Sequence, residues 1–220
     1  MNIRIVMNGK PKAHAELDFL AAIERGEVVT QMTLRQRIGV SVGMVNALVK
    51  RAVGKGYAKV HQAPYKRYAY YLTPQGFTEK SRLVAEYLET SLDFFRAARN
   101  EYAEIFSRTQ HIGLKKIALA GHGELTEIAV LAALGEGISI DAILDPQANE
   151  AERHGVRVIR DLSEAPAIDA IIITETKFPQ AIYERMCAAF DASRVFAPAL
   201  LRITPNRREL IARARQGERV

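Results

Sequence analysis

The pattern of apolar and polar positions is clearest between residues 30 and 72, where it predicts two short helices followed by two strands. Thr30 is the expected N-cap of the first helix, whose apolar side carries Met32, Leu34 and Ile38. The second helix is predicted over Ser41 to Val53, because apolar residues recur there at steps of three and four. Those residues are Val45, Leu48, Val49 and Ala52.

A basic hairpin is predicted directly after the second helix. The segments YAKVHQ and YAYYL alternate like strands on either side of a tip at residues 63–67. Before the two helices, the pattern predicts a helix from Pro11 to Arg25 and a short strand at residues 27–29 that pairs with the hairpin. Helix, glycine turn, helix and hairpin together predict a winged helix-turn-helix domain over residues 1–73.

The distribution of charge supports the same interpretation. Between Val28 and Thr78 there is no Asp or Glu, whereas eight Lys or Arg residues occur. An acid-free basic window is typical of a surface that meets phosphates, and the alternative is a basic domain with a purely structural role. We expect the second helix to read bases and the hairpin tip to contact phosphates or a minor groove. The predicted DNA-binding residues are Ser41, Val42, Gly43, Asn46, Lys50, Lys66 and Arg67.

The segment TLRQRIGVSVGMVNALVKRAVGKGY, followed by the hairpin and LTPQGFTEKSRL, resembles MarR-type winged-helix regulators, especially those associated with polysaccharide synthesis. The resemblance covers about the first half of the chain. It implies double-stranded DNA as a partner and a homodimer that places two recognition helices on a palindromic site.

A long helix is predicted from Pro74 to about Thr109, with Thr73 as its N-cap. Its apolar residues recur at alternating steps of four and three, which approximates a heptad seam with one polar interruption. The seam residues are Val84, Leu88, Ser91, Phe95, Ala98, Tyr102 and Ile105. We therefore expect residues 74–110 to form a linker or dimerisation helix, the alternative being that the helix packs against its own domain.

Residues 111–199 alternate short apolar strands with helices. The predicted strands lie in KKIALA, ISIDAILD, VRVI, AIDAIIIT and SRVFAP. Near-continuous apolar strands separated by helices predict an α/β Rossmann-like parallel-sheet domain. The predicted fold class is therefore an α+β winged helix-turn-helix domain, a long connecting helix and an α/β Rossmann-like domain, followed by a basic C-terminal tail over residues 200–220.

A candidate ligand site lies where the predicted parallel strands end. Gly121, His122 and Gly123 form the turn after the first of these strands, where glycines permit close approach and the next helix N-terminus favours an anion. Asp145 ends the second strand, a position at which an acid often takes ribose hydroxyls. Thr174 follows the fourth strand and is expected at the same edge.

The glycine fingerprint is incomplete, because Thr126 occupies its third glycine position and Glu124 and Glu127 place negative charge in the first turn of the helix. The stretch from ALAGHGELTE to IDAIIIT also resembles the Rossmann module at the front of sugar-nucleotide epimerases and sugar acyltransferases. That resemblance implies that Gly121, Gly123 and Asp145 approach a nucleotide or nucleotide sugar. We expect such an effector rather than tightly held NAD; the alternative is a module that only oligomerises or binds a partner.

Other classes of function receive little support from the sequence. It contains no G-x-S-x-G, H-E-x-x-H or Walker lysine motif, and no histidine pair has metal-ligand spacing, so we predict neither catalytic residues nor a metal site. The single cysteine, Cys187, excludes an internal disulfide. Without a signal-peptide core or an apolar run of membrane-spanning length, the chain is expected to be cytoplasmic.

The net charge of +6 combines a basic front half, an acidic middle and a basic tail, which suggests separate roles for them. The sequence thus predicts a homodimeric DNA-binding transcriptional regulator, not an enzyme, whose second domain senses a nucleotide or nucleotide sugar. Two alternatives stay open: a sugar-nucleotide-processing enzyme with an accessory winged helix, and a scaffold whose Rossmann-like half only oligomerises.

Overall fold

The computed structural model describes residues 12–24, 28–29, 31–63, 67–165 and 167–204. The helices are α1 (Lys12–Glu24), α2 (Gln31–Ile38), α3 (Val42–Gly54), α4 (Pro74–His111), α5 (Glu124–Gly135) and α6 (Pro179–Ala189). The strands are β1 (Val28–Val29), β2 (Ala58–Ala63), β3 (Arg67–Leu72), β4 (Ile117–Ala120), β5 (Ile140–Leu144), β6 (Glu152–Arg153), β7 (Val156–Ile159), β8 (Ala170–Ile173) and β9 (Val195–Phe196). The chain divides into two compact units, Met1–Leu92 and Asp93–Val220, and α4 contributes residues to both.

The first unit is a three-helix core with a small antiparallel sheet. Apolar side chains from α1, α2 and α3 pack together with Tyr70 of β3, and each buried side chain of this kind stabilises the fold by roughly 1.5–3 kcal/mol. The hairpin β2–β3 pairs from Ala58 opposite Leu72 to Ala63 opposite Arg67, and β1 adds to the free side of β3. The predicted winged helix-turn-helix arrangement, including the short strand on the hairpin, is confirmed.

Helix α3 forms where the sequence predicts it. Ser41 has extended backbone angles, and its Oγ accepts a hydrogen bond from the N–H of Met44 at 3.3 Å, so that it is the N-cap. Val45, Leu48 and Ala52 are buried against the rest of the unit. The opposite side of the helix is therefore left for solvent or a partner.

The predicted apolar side of α2 is wrong at one residue. Leu34 and Ile38 are buried, but Met32 is 53% exposed. Two residues correspond to about 200° around a helix, so Met32 and Leu34 cannot share a face. Thr30, its predicted N-cap, lies outside the described residues.

The long helix α4 is confirmed, but its predicted single seam divides into two parts. Leu88 is 52% exposed in the first unit, whereas Ala98, Tyr102 and Ile105 are buried in the core of the second unit. The hydroxyl of Tyr102 donates to the carbonyl of Ile173 at 3.1 Å. The prediction that this half of the seam is a dimer interface is wrong, because the sheet of its own unit covers it.

The second unit is an α/β domain around a six-stranded sheet with the order β6-β7-β5-β4-β8-β9. All pairs are parallel except β6 with β7, and β6 was not predicted because Glu152 and Arg153 are both charged and show no apolar alternation. All four residues of β4 and all four of β8 are buried, as expected for central parallel strands covered on both faces. The order reverses between β4 and β8, which opens a crevice at their carboxyl ends.

The amino ends of the same two strands are joined by Asp169. Its Oδ2 accepts hydrogen bonds from the backbone N–H of Lys116 and Lys115, and these bonds hold the pKa of Asp169 below its ordinary value. Among the described residues, no helix has both the length and the apolar character needed to cross a membrane.

Candidate functional site

A cavity of about 280 Å³ lies at the carboxyl edge of the parallel sheet. Its walls come from the ends of β4 and β5, from the segment after β8 and from α6. Of the predicted ligand residues, Gly121, His122 and Asp145 line it. Gly123 and Thr174 are not among the lining residues.

Gly121 is required by the packing of the strand ends. Its φ is +140°, and an added Cβ would lie 2.4 Å from the backbone nitrogen of Glu175. Any side chain there would push the end of β4 away from the segment after β8. Gly123 also has a positive φ, +130°, but open space surrounds its Cβ position. The two glycines therefore have different roles. Gly121 allows the strand ends to pack together, whereas Gly123 allows only the turn into α5.

Asp145 lies at the floor of the cavity with 4% of its surface exposed. Its Oδ1 accepts a hydrogen bond from the N–H of Gln147 at 3.0 Å, and Arg153 Nη2 lies 3.4 Å from its Oδ2. These partners offset part of the cost of burying a carboxylate. Asp145 is therefore held in one orientation at the end of β5.

Glu175 lies at the predicted sheet edge directly after Thr174, but the sequence did not single it out as a site residue. It is 7% exposed, and its Oε1 accepts a hydrogen bond from the N–H of Lys177 at 2.6 Å. His122 lies between the two buried carboxylates, with Nδ1 3.7 Å from Asp145 Oδ1 and 3.8 Å from Glu175 Oε2. These distances exceed those of direct hydrogen bonds, so His122 does not use up the acceptor capacity of either carboxylate.

Thr174, predicted to contact the ligand, does not line the cavity. Its side chain is fully buried, and its hydroxyl lies 2.8 Å from that of Thr126 in α5. Glu175, one residue further along, lines the cavity instead. Side chains alternate in direction along extended backbone, so a difference of one residue decides which of them enters the crevice.

The outer part of the cavity is formed by residues between β8 and the middle of α6. Lys177, Phe178 and Arg185 are exposed, and Phe178 is 70% exposed. No sequence motif marks them. Only their place after β8, at the carboxyl edge of the sheet, relates them to the candidate site.

The predicted DNA-reading residues lie on and around α3. Ser41, Val42, Gly43 and Lys50 are exposed, and Asn46 is half-buried. Arg67 pairs with Ala63 in the hairpin register, while Lys66 lies outside the described residues.

Not every basic side chain in this region is directed to solvent alone. Arg51 Nη1 lies 3.2 Å from Glu16 Oε2, which ties α3 to α1. Lys50 and Lys59 are exposed, as is Arg35. The acid-free window thus contributes basic side chains to the surface of the first unit from α2, α3 and β2.

In the described part of the chain, no group of three or more His, Cys, Asp and Glu residues has a geometry that could hold a metal ion. This includes His122 with its two neighbouring carboxylates.

Comparison with known proteins gives structural neighbours only; no protein-family model and no curated protein matches the chain. The PcaV transcriptional regulator from Streptomyces coelicolor is similar over 44% of this chain and 74% of its own, with 21% identity and a TM-score of 0.36. A MarR transcriptional regulator from Methanosarcina mazei Go1 is similar over 44% and 78%, with 18% identity and a TM-score of 0.31. PigF with SAH is similar over 85% and 56%, with 11% identity and a TM-score of 0.23. At these identities and scores, none of them assigns a function to this chain.

Proposed function

We propose that this chain is a cytoplasmic, homodimeric, DNA-binding transcriptional regulator whose second unit binds a nucleotide-type effector. The observation that carries the proposal is the two-sided character of α3 within an acid-free region. One side of α3 is buried through Val45, Leu48 and Ala52. The other side exposes small and basic residues, and no acid occurs between Val28 and Thr78 to repel a phosphate backbone.

The start of α3 is well suited to enter a major groove. Ser41 and Gly43 are small and exposed, and a helix N-terminus carries partial positive charge. In helix-turn-helix proteins, residues near the start of the second helix contact base edges. Asn46 lies one turn further along and has the amide group that pairs with adenine through two hydrogen bonds. Lys50, one more turn along, is placed to reach a phosphate.

The homodimer is proposed on the first-unit half of α4. Four large apolar side chains are exposed there within about a quarter of the helix circumference. They are Phe77, Val84, Leu88 and Leu92. An apolar stripe of this length on one helix is typical of a contact surface. In a twofold-symmetric dimer, the stripe of each copy would be buried against that of the other.

The effector is proposed on the cavity of the second unit. Its five parallel strands follow the spatial order of a nucleotide-binding α/β fold, which is our reason for the Rossmann-like assignment. The cavity also lies at the point where the strand order reverses, the usual ligand site of such sheets. Coupling to transcription requires the effector to change DNA affinity, typically by about 1–3 kcal/mol, and DNA to change effector affinity equally.

The test of the regulator is genome-wide recovery of DNA bound to the full-length protein in cells. We expect discrete sites that share a palindromic sequence. Lys50→Glu should abolish their enrichment because it places an acid on the proposed DNA face. Lys115→Glu is the matched control, since it reverses an exposed lysine of the second unit. Recovery that is uniform over the genome, or equal for the two variants, would contradict the proposal.

A further inference from the structure

The cavity of the second unit separates its charges by depth. The carboxylates of Asp145 and Glu175 are almost fully buried, whereas the basic residues Lys177 and Arg185 line it from exposed positions. A ligand that fits this arrangement presents hydrogen-bond donors to the floor and an anion to the rim. Phosphorylated sugars and nucleotides have both.

We propose that the cavity binds a nucleotide or sugar phosphate in the reverse of the usual glycine-turn orientation. The phosphate is held by Lys177 and Arg185 beside α6, and the hydroxyls meet Asp145, His122 and Glu175. This inference rests on the proposed effector function and specifies which groups of the effector each wall recognises.

The glycine turn is a poor place for the phosphate. The first turn of α5 carries Glu124 and Glu127, both exposed, and their charge opposes an anion at that helix N-terminus. On the Cβ side of Gly121, the backbone of Glu175 already fills the space. Gly123, the N-cap of α5, does not line the cavity.

The α6 side has the opposite character. The first turn of α6 contains no acid, and Pro179 stands at its start. Its amino end therefore adds partial positive charge near Lys177, which lies two residues before it. The one acid on this helix, Glu184, is exposed and accepts a hydrogen bond from the side-chain amide of Gln180 at 2.8 Å. Positive charge at this rim thus comes from two side chains and one helix end.

The floor suits hydroxyl groups rather than a second phosphate. Asp145 and Glu175 each use one oxygen to accept a backbone N–H, from Gln147 and Lys177 respectively. A carboxylate can accept several hydrogen bonds, and a vicinal diol supplies two donors at suitable spacing. Phe178, largely exposed at the rim, offers an apolar face to a sugar or a base.

The size of the cavity limits the ligand. A volume of about 280 Å³ lies just below the range of small-molecule sites, which is roughly 300–1,000 Å³. This suits a mononucleotide or a sugar phosphate better than a dinucleotide. A nucleotide sugar would extend its second sugar past Phe178 toward solvent.

The experiment is calorimetric titration of the full-length protein with the four ribonucleoside monophosphates, UDP-glucose and glucose 1-phosphate. Each is compared with its phosphate-free counterpart, and circular dichroism confirms that each variant is folded. We expect at least one phosphorylated compound to bind at least tenfold more tightly than its counterpart. Lys177→Ala combined with Arg185→Ala should remove most of that preference, whereas Asp145→Asn should weaken both members of the pair.

The matched control is Glu124→Gln, which removes one acid from the first turn of α5. If the phosphate lies beside α6, this variant binds like the wild type. The inference would be overturned if Glu124→Gln bound more tightly and the double alanine variant bound like the wild type. That result would place the phosphate at the glycine turn and leave effector binding intact. Equal affinity for phosphorylated and phosphate-free compounds would overturn it as well. Absence of binding by all compounds would remove the inference and the effector function together, and the DNA-recovery experiment would decide the regulator separately.

Discussion

The hydroxyl of Thr126 lies 2.8 Å from the hydroxyl of Thr174, and both side chains are completely buried. Thr126 belongs to α5 and Thr174 follows β8, so this hydrogen bond joins the helix after β4 to the end of the neighbouring strand. In nucleotide-binding turns the corresponding third glycine allows helix and strand to pack closely. Here a hydrogen bond between two threonines makes the same connection.

Thr126→Val is expected to lower the free energy of unfolding by about 1–3 kcal/mol, because it leaves the buried hydroxyl of Thr174 without this partner. Combining Thr126→Val with Thr174→Val should restore most of the loss, since two apolar groups of similar shape then replace two polar ones. Urea unfolding followed by far-ultraviolet circular dichroism measures both. Losses that simply add in the double variant would show that the two hydroxyls are not coupled.

Tyr102→Phe is predicted to lower stability at neutral pH by about 0.5–1.5 kcal/mol, because the hydrogen bond to the carbonyl of Ile173 is lost. Burial raises the pKa of Tyr102 above its ordinary value of about 10, and the charge of Glu101 raises it further. Above pH 10 the unfolded state therefore loses this proton while the folded state keeps it. The stabilisation is present below pH 10 and declines as the pH rises through the alkaline range.

The pH dependence separates the role of the hydroxyl from simple packing. Unfolding free energies measured between pH 8 and pH 11 should fall less steeply for Tyr102→Phe than for the wild type. Equal slopes would mean that Tyr102 does not contribute to the alkaline loss.

Much of the candidate site could be predicted because parallel strands end together. Gly121 and Asp145 each follow an apolar run, and such runs mark buried parallel strands whose carboxyl ends share one edge. The sequence could not decide between Thr174 and Glu175, since that choice depends on where β8 ends relative to β4. Lys177 and Arg185 were missed because no local pattern relates the segment before α6, or the middle of that helix, to a cavity formed by the ends of strands.

The seam of α4 shows a second limit. Apolar residues at steps of three and four identify the apolar face of a helix but not what covers that face. Leu88 and Tyr102 belong to the same stripe, and yet Leu88 is exposed in the first unit and Tyr102 is buried in the second. The apolar pattern continues without a break along the helix, so the sequence does not show where the helix passes from one unit to the other.

Ser41 allows the helix cap to be separated from DNA binding. Ser41→Ala should lower stability by about 1 kcal/mol because the N–H of Met44 loses its acceptor. Ser41→Asp should retain most of the stability, since Asp caps helices as well as Ser does, but should weaken DNA binding through repulsion of phosphates. Urea unfolding and fluorescence anisotropy with a recovered site measure the two effects. If Ser41→Asp binds DNA like the wild type, the start of α3 does not face the duplex.

Leu88→Glu is expected to convert the proposed dimer into a monomer, because it places a charge in the exposed apolar stripe of α4. Thr90→Glu is the matched control. Thr90 is also exposed, but it lies on the opposite side of α4 from Leu88. Multi-angle light scattering gives the mass of each variant. If Leu88→Glu remains a dimer, the contact between copies lies outside this stripe.

Asn46 and Lys50 are predicted to act on DNA in different ways, although they lie one turn apart on α3. Asn46→Ala should lower the affinity for the recovered site by about 1–3 kcal/mol and leave random DNA nearly unaffected, because a base contact carries the sequence information. Lys50→Ala should weaken both and flatten the slope of log affinity against log salt by about 0.9, because one phosphate contact is lost. Lys115→Ala, in the second unit, should leave the affinities and the slope unchanged. Anisotropy titrations at several salt concentrations, with specific and random duplexes, measure the affinity and the salt slope of each variant for both kinds of DNA. A loss of specific and random binding in equal proportion for Asn46→Ala would assign that residue to the backbone instead of the bases, and would move sequence reading to another part of the first unit.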